Sequence, residues 1–146
     1  MTRPIYETSS DRQKEAQVAE TLASIWLCEI VKMKPACVVD YAIKRSGKIV
    51  AVMEIKCRNY TFQELDEMGG LILSSHKLQS AKAWTDTHDI AFVLALGLPD
   101  GIYAETLWSL HWPVFDLVIA GRYDRSDKQD TEPCGLIPME RFTKYA

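Results

Sequence analysis

Short apolar runs alternate with charged segments along the chain, and the clearest case is Ala36 to Tyr60, with the sequence ACVVDYAIKRSGKIVAVMEIKCRNY. Val, Ile and Ala dominate two runs in this segment, and residues 45–48, with the sequence RSGK, separate them like a turn. The pattern predicts a β-hairpin that carries Asp40 on its first strand and Glu54 near the end of its second strand.

Strand periodicity gathers charge at one point of this hairpin. Side chains alternate between the two faces of a strand, so Glu54 and Lys56 are expected on one face and Ile55 in a core on the other. Folding back at the turn brings Asp40 alongside Glu54. Two carboxylates and a lysine in an otherwise apolar sheet cost free energy unless they are paired or bind a metal. The hairpin therefore indicates a functional site.

Helical and strand patterns flank the hairpin. Residues 9–26 are typical of a helix, and Glu15 lies on its apolar stripe, which favours an inward-facing carboxylate over a solvated one. Downstream, the sequence predicts a short strand at 71–73, a helix from about 76 to 85 with Leu78, Ala81 and Trp84 buried, and strands at 90–96 and 102–107. This order predicts an α/β fold with an α-β-β-β-α-β core.

Lys77 lies in the first turn of the second predicted helix, where a cation opposes the helix dipole. Such a position suggests a negative group nearby, either a phosphate or the acidic cluster of the hairpin. The alternative is a long surface lysine that reaches into water. Residues 60–70 are acidic and are expected to form a loop or a short helix over the site.

A divalent metal is the chemistry that best fits the hairpin. Mg²⁺ prefers oxygen ligands, usually one or two carboxylates together with water and substrate phosphate. Asp40 and Glu54 would supply the carboxylates, and the Ile55 carbonyl could add a third oxygen. The metal would activate a water molecule, which Lys56 would orient or whose developing charge it would stabilise.

An acid followed 14 positions later by Glu-x-Lys resembles the signature of the PD-(D/E)XK nuclease superfamily, although Val39 replaces the usual Pro before the first acid. The segments EIKCRNY, LSSHK and GRYDRSDKQDTEP look like those of small stand-alone nucleases from phages and prophages. The resemblance covers roughly residues 10–140. It implies a restriction-endonuclease-like α-β-β-β-α-β core with a mixed sheet flanked by helices.

The resemblance also implies site residues and a cofactor. The implied cofactor is Mg²⁺ or Mn²⁺, held by Asp40, Glu54 and the Ile55 carbonyl, with Glu15 assisting directly or through a water. The catalytic positions carried over to this chain are Glu15, Asp40, Glu54, Lys56 and Lys77.

The net charge and its distribution along the chain bear on whether the substrate is a nucleic acid. The net charge of −3 is unusual for a nucleic-acid binder, but basic residues cluster around the hairpin, whereas acids concentrate at 64–67 and 124–132. Arg58 is a candidate phosphate clamp, with a surface arginine as the alternative. The other predicted nucleic-acid contacts are Lys44, Arg45 and Lys48. We expect weak, salt-sensitive binding of DNA, with RNA as the alternative substrate.

Length and composition set the frame for these predictions. A chain of 146 residues with 47% hydrophobic and 25% charged residues predicts one nuclease-like domain over 1–146, with its core at about 10–107 and a C-terminal extension at 108–146. No apolar stretch approaches 18 residues and no signal peptide is visible, so we expect no membrane contact and a cytoplasmic location in a bacterial or phage-infected cell. The four cysteines lack zinc spacing and are expected to be free thiols.

The C-terminal extension leaves alternatives open. Trp108, Trp112 and Phe115 belong either to the core or to a homodimer contact, and the charged segment 121–133 is either a surface loop or an interface. Taken together, the sequence predicts a metal-dependent nuclease that hydrolyses phosphodiester bonds in DNA. The competing hypothesis is a catalytically silent DNA- or protein-binding module on the same fold.

Overall fold

A six-stranded mixed sheet carries the predicted hairpin in our computed structural model, which describes residues 9–35, 37, 39–108, 112–120 and 132–146. In chain order the elements are α1 (Ser9–Trp26), β1 (Glu29–Lys32), β2 (Tyr41–Arg45), β3 (Lys48–Cys57), α2 (Phe62–Glu67), β4 (Leu71–Ser74), α3 (Ser75–His88), β5 (Ala91–Leu98), β6 (Gly101–Leu107), β7 (Asp116–Ala120), β8 (Glu132–Ile137) and β9 (Thr143–Lys144), with a short 3₁₀ helix at Met139–Arg141 before β9.

The large sheet has the spatial order β1-β2-β3-β5-β6-β9. The central strands β3 and β5 pair in parallel, and all other adjacent strands of this sheet pair antiparallel. A parallel pair needs a long crossover, and the segment from α2 to α3 provides it. The predicted α/β fold with a mixed sheet flanked by helices is confirmed, and α1, β1, β2, β3, α3 and β5 follow the α-β-β-β-α-β order.

The strand predicted at 71–73 exists as β4, but it belongs to a second sheet with the order β4-β8-β7. The strand that completes the three consecutive strands of the α-β-β-β-α-β order is instead β1, a four-residue strand that pairs with β2.

The predicted hairpin turn is present between β2 and β3. Ser46 and Gly47 have φ angles of 52° and 78°, and Arg45 pairs with Lys48. Two consecutive left-handed residues are the conformation of a tight two-residue hairpin turn. One detail differs from the prediction, because Asp40 directly precedes β2 and does not lie on it. Its backbone carbonyl accepts a hydrogen bond of 2.8 Å from the Met33 N–H, which holds it against the preceding segment.

The two faces of the large sheet pack against different elements. On one face, Met53 and the predicted core residue Ile55 pack with Val18 and Leu22 of α1. The other face packs against α3 and the small sheet, through residues that include Val52, Leu78, Leu94 and Ile137. Since β3 alternates, Glu54 points into the second of these cores.

Helix α3 confirms the prediction for Leu78 and Ala81 but not for Trp84, which is 40% exposed and stacks beside His88. A helix turns by about 100° per residue, so the position seven residues after Leu78 returns to the same face and the position six residues after it does not. Thr85 accordingly takes the buried position. Within residues 60–70, the expected short helix is α2, whose N-terminus Thr61 caps.

The C-terminal segment is part of both sheets, because β8 pairs with β4 and β7, and β9 pairs with β6. Of the charged segment predicted at 121–133, residues 121–131 lie outside the described residues. All four cysteines are free, as predicted. In the ranges that the structure describes, no helix is long and apolar enough to cross a membrane.

Candidate catalytic site

The site lies where β3 extends beyond the end of its neighbour β2. Pairing between β2 and β3 ends at Tyr41 and Met53, whereas pairing between β3 and β5 continues to Cys57. Asp40 directly precedes Tyr41 and so comes beside this overhang, near Glu54. The Glu54 side chain is 1% exposed, which is rare for an ionisable group that lacks a partner.

Two lysines surround these carboxylates. Lys77 donates hydrogen bonds to Glu54 Oε2 at 3.0 Å and to Asp40 Oδ1 at 3.4 Å. Lys56 Nζ lies 2.8 Å from Glu54 Oε1. This contact is an ion pair without hydrogen-bond alignment, because Oε1 has no hydrogen-bond partner among the described residues. Two acids and two lysines give the cluster a formal charge of zero, and its members are the predicted residues Asp40, Glu54, Lys56 and Lys77.

The position of Lys77 resolves an alternative that the sequence left open. Lys77 is the third residue of α3, and it contacts the acidic cluster. Burial by itself would lower the pKa of Lys77, but the carboxylates of Glu54 and Asp40 outweigh burial and raise that pKa. The ammonium therefore stays charged and neutralises the buried Glu54 and the half-buried Asp40, although a cation is unfavourable at this end of a helix.

Glu15 faces inward from α1, with its side chain 16% exposed. It accepts a hydrogen bond of 3.1 Å from Tyr41 Oη and forms an ion pair with Lys32 at 3.6 Å. Helix α1 packs on the face of the sheet opposite Glu54. Among the described residues, Glu15 does not join Asp40 and Glu54 in a metal-binding group of three acids. Its catalytic role stays a prediction.

Arg58 lies directly after β3, where its Nη1 donates to the Cys57 carbonyl at 3.0 Å. It lines a cavity of about 420 Å³ at the carboxyl ends of β3 and β5, together with Lys14 and Asn59. Residues of α1 line the same cavity, so it lies on the face of the sheet opposite Glu54. The phosphate contact of Arg58 stays a prediction.

The other predicted nucleic-acid contacts lie at the opposite end of the hairpin. Lys44 pairs with Glu29 at 3.9 Å, and Arg45 donates to the Trp26 carbonyl at 3.0 Å. Lys48 begins β3, six residues before Glu54, which corresponds to about 20 Å at the usual rise of a strand. These residues could reach only a part of a nucleic acid that is distant from the cluster, and their role stays a prediction.

The donor set fits a hard divalent cation. Asp40 and Glu54 are the pair of carboxylates that Mg²⁺ typically takes from a protein, and the contact of the buried Glu54 Oε1 with Lys56 Nζ, at 2.8 Å, lacks hydrogen-bond alignment. Over the same residues, no group of three or more His, Cys, Asp or Glu side chains could hold a metal. Water and substrate phosphate would therefore have to complete the coordination. The Ile55 carbonyl belongs to the overhang of β3 and stays a predicted ligand.

Sequence reasoning missed two features near the site. The Ser75 hydroxyl, two residues before Lys77, is buried and has no hydrogen-bond partner in the described ranges. The preceding residue Ser74 is the N-cap of α3, and its side chain makes no cap hydrogen bond. The contacts of Glu15 with Tyr41 and Lys32 were also unforeseen, since they depend on how α1 docks.

Comparisons with known proteins find a matching family and a solved structure with partial similarity. Residues 1–145 match the family described as "Phage putative PDDEXK endonuclease". No curated protein sequence matches the chain. Among solved structures, Hjc, a Holliday junction resolvase from the archaeal hyperthermophile Archaeoglobus fulgidus, aligns with 15% identity and a TM-score of 0.46, over 63% of this chain and 74% of that chain.

Proposed function

Because the chain belongs to the phage PDDEXK endonuclease family, we propose that it hydrolyses phosphodiester bonds in DNA with bound Mg²⁺ or Mn²⁺. The observation that carries the proposal is the convergence of Asp40 and the buried Glu54 on one point, with Lys56 and Lys77 beside them. Such a cluster is costly as mere structure, since an apolar replacement of buried ion pairs is often at least as stable.

Each residue has a defined role in this proposal. Asp40 and Glu54 hold the metal, which supplies charge neutralisation at the phosphate and a water of lowered pKa when it is bound. Lys56 lies 2.8 Å from Glu54 Oε1 and therefore borders the metal position, where its ammonium can orient the attacking water or stabilise charge on the phosphate oxygens. Glu15 is proposed to act through a water, from the other side of the strand.

DNA is the proposed substrate, with RNA as the alternative to be tested beside it. Arg58 would contact a phosphate near the cleaved bond, whereas Lys44, Arg45 and Lys48 would contact a distant part of the same nucleic acid. Contacts of this kind release counterions, so binding should weaken as the salt concentration rises.

We also propose that the protein forms a homodimer, through the edge of the small sheet. In the order β4-β8-β7, β7 has one strand partner among the described residues. Leu117 and Ile119 on this strand are 71% and 74% exposed. In an antiparallel pair of β7 strands centred on Val118, Leu117 of one copy lies opposite Ile119 of the other, which gives an apolar and self-complementary contact.

A cleavage assay tests the catalytic proposal. Supercoiled plasmid, linear duplex, single strands, a four-way junction and RNA would be incubated with Mg²⁺, Mn²⁺ or EDTA. Asp40→Asn, Glu54→Gln and Lys56→Met should each lower the cleavage rate by a factor of about 100 or more, because metal binding or charge stabilisation is lost. Asp86→Asn is the matched control, since Asp86 forms an exposed ion pair within α3.

The outcomes separate the two candidate functions. Metal-dependent cleavage that is lost in the three site variants and retained in Asp86→Asn would support the nuclease. Binding of nucleic acid without cleavage, by correctly folded protein at millimolar metal, would favour the silent binding module. In that case Mn²⁺ should also fail to raise the melting temperature.

A further inference from the structure

The cluster carries its own cation at the position that a metal would need. Lys77 Nζ lies between the two carboxylates, 3.0 Å from Glu54 Oε2 and 3.4 Å from Asp40 Oδ1. Under the proposed function, a divalent ion would bind to the same two carboxylates. A second cation cannot share them without strong repulsion from the ammonium.

We propose that Lys77 is a built-in counter-ion that leaves Asp40 and Glu54 when the metal binds and then contacts a DNA phosphate. The inference rests on the proposed function, and it adds that metal binding and DNA binding are coupled through this one side chain. In this scheme Lys77 neutralises the two carboxylates before the metal binds, and it binds a phosphate of the substrate afterwards.

Lys56 is a poorer candidate for this exchange than Lys77. It lies two residues after Glu54 on the same strand and contacts only Glu54 among the two acids, at Oε1. Lys77 comes from a separate helix and contacts both acids. Its flexible four-carbon side chain is 28% exposed, so it has an outward route that does not require any strand to move.

The position of Lys77 on α3 gives a reason why it would contact a phosphate after it leaves the carboxylates. Lys77 is in the first turn of α3, where the dipole favours anions and disfavours cations. Once a bound metal neutralises the carboxylates, the acidic cluster no longer compensates for the unfavourable interaction of the Lys77 ammonium with the helix dipole. A phosphate oxygen offsets it, because it accepts from the ammonium and lies at the helix end that prefers negative charge.

Charge balance points the same way. With Asp40, Glu54, Lys56 and Lys77 in place, the formal charge of the cluster is zero, and it offers no net attraction to a phosphate. A bound divalent cation changes this charge to +2. The site therefore becomes attractive to the DNA backbone only after metal binding, and each ligand should tighten the binding of the other by the same factor.

The first test measures Mn²⁺ affinity without DNA, by electron paramagnetic resonance of free Mn²⁺. Lys77→Gln removes the competing cation and should tighten Mn²⁺ binding about tenfold, which is within the usual range for coupled sites. Lys82→Gln is the matched control, since Lys82 lies on the same helix and pairs with the exposed Asp86. It should leave Mn²⁺ affinity unchanged.

A second test uses the wild-type protein and does not depend on the folding of a variant. Lysines would be labelled briefly by reductive methylation and quantified by mass spectrometry. Saturating Mn²⁺ should increase the labelling of Lys77 at least about threefold, and a short DNA duplex added with Mn²⁺ should protect it again. Labelling of Lys82 should not change.

The results distinguish failure of this inference from failure of the proposed function. Wild-type protein that binds no Mn²⁺ would overturn both. Mn²⁺ binding that is equal or weaker in folded Lys77→Gln, or labelling of Lys77 that stays constant or falls when Mn²⁺ alone is added, would overturn the inference and leave a metal-dependent nuclease in which Lys77 stays with the carboxylates.

Discussion

Two buried glutamates in this molecule are neutralised in different ways. Glu54 has two lysines from different elements, whereas Glu105 on β6 pairs with Arg141 from the 3₁₀ helix. Burial raises the pKa of Glu105, and the adjacent Arg141 only partly offsets this rise. The second pair connects the C-terminal segment to the large sheet, so its removal should affect stability without changing the cluster around Glu54.

Arg141→Ala should lower the free energy of unfolding by about 2 kcal/mol at neutral pH, because it leaves a buried carboxylate without its cation. The loss should shrink as the pH falls. The pKa of Glu105 is higher in the folded than in the unfolded protein, so folding favours the protonated form. The cost of burying the charged carboxylate is therefore present at high pH and disappears as the pH falls below the pKa of the folded protein. Urea denaturation at pH 7 and pH 5 measures both values.

The double variant Glu105→Gln/Arg141→Ala provides the control. It has no carboxylate to bury, so it should recover part of the stability at pH 7 and lose the pH dependence that is specific to Arg141→Ala. A deficit of the same size at both pH values would contradict the assignment to Glu105.

At the scale of elements, local patterns were sufficient where pairing is local. The alternation in β2 and β3 and the turn at 45–48 predicted the hairpin and hence the approach of Asp40 to Glu54. Strand β1 was missed, because four residues directly after a helix give too short a pattern to recognise. Strand β8 was missed because it contains Pro133 and Gly135, which are unusual within strands.

Long-range docking set the limit for the site. Lys77 was identified through its unfavourable place on a helix, but which anion it contacts depends on how α3 packs on the sheet. The apolar stripe of α1 correctly predicted that the Glu15 side chain faces inward. It did not reveal that α1 covers the face opposite Glu54, because amphipathicity alone does not say which side of a sheet a helix will cover.

Gly70 controls the entry into β4 and thus the start of α3. Its φ is 133°, and an added Cβ would lie 2.3 Å from the Ile137 carbonyl oxygen. Gly70→Ala should therefore cost about 3 kcal/mol of folding free energy, from backbone strain and the clash together. Thermal or urea unfolding measures the loss.

Gly47→Ala is the matched control for this prediction. Gly47 also has a positive φ, 78°, but nothing lies within 4 Å of its added Cβ. Its substitution should cost only about 1 kcal/mol, from the left-handed conformation alone. Equal losses in the two variants would show that the contact with the strand at Ile137 does not matter.

At the scale of the whole molecule, the aromatic residues of the C-terminal segment divide between two environments. Trp112 is half-buried and stacks on the core residue Phe92 with ring centroids 5.9 Å apart, whereas Trp108 is 56% exposed. Two further exposed apolar side chains, Leu117 and Ile119, lie on β7. This edge carries the proposed dimer contact.

Leu117→Lys combined with Ile119→Lys should weaken the proposed dimer at least tenfold, because each copy would place a charge in an apolar contact. Both side chains are exposed in the single chain, so the melting temperature of the monomer should barely change. Analytical ultracentrifugation over a range of concentrations measures the association. Ile49→Lys, at an exposed position on the hairpin, should remain dimeric, and a wild-type protein that is monomeric throughout would refute the dimer.

The pairing of β4 with β8 has a consequence for the order in which the protein is made. Strand β4 leads directly into α3, and its strand partner in the described ranges is Glu132–Ile137, about 60 residues further along the chain. At about 5 to 20 residues per second, a ribosome needs several seconds to add that segment. A growing chain that already contains both carboxylates and Lys77 still lacks the strand that fixes α3, so the complete cluster is a property of the nearly finished polypeptide.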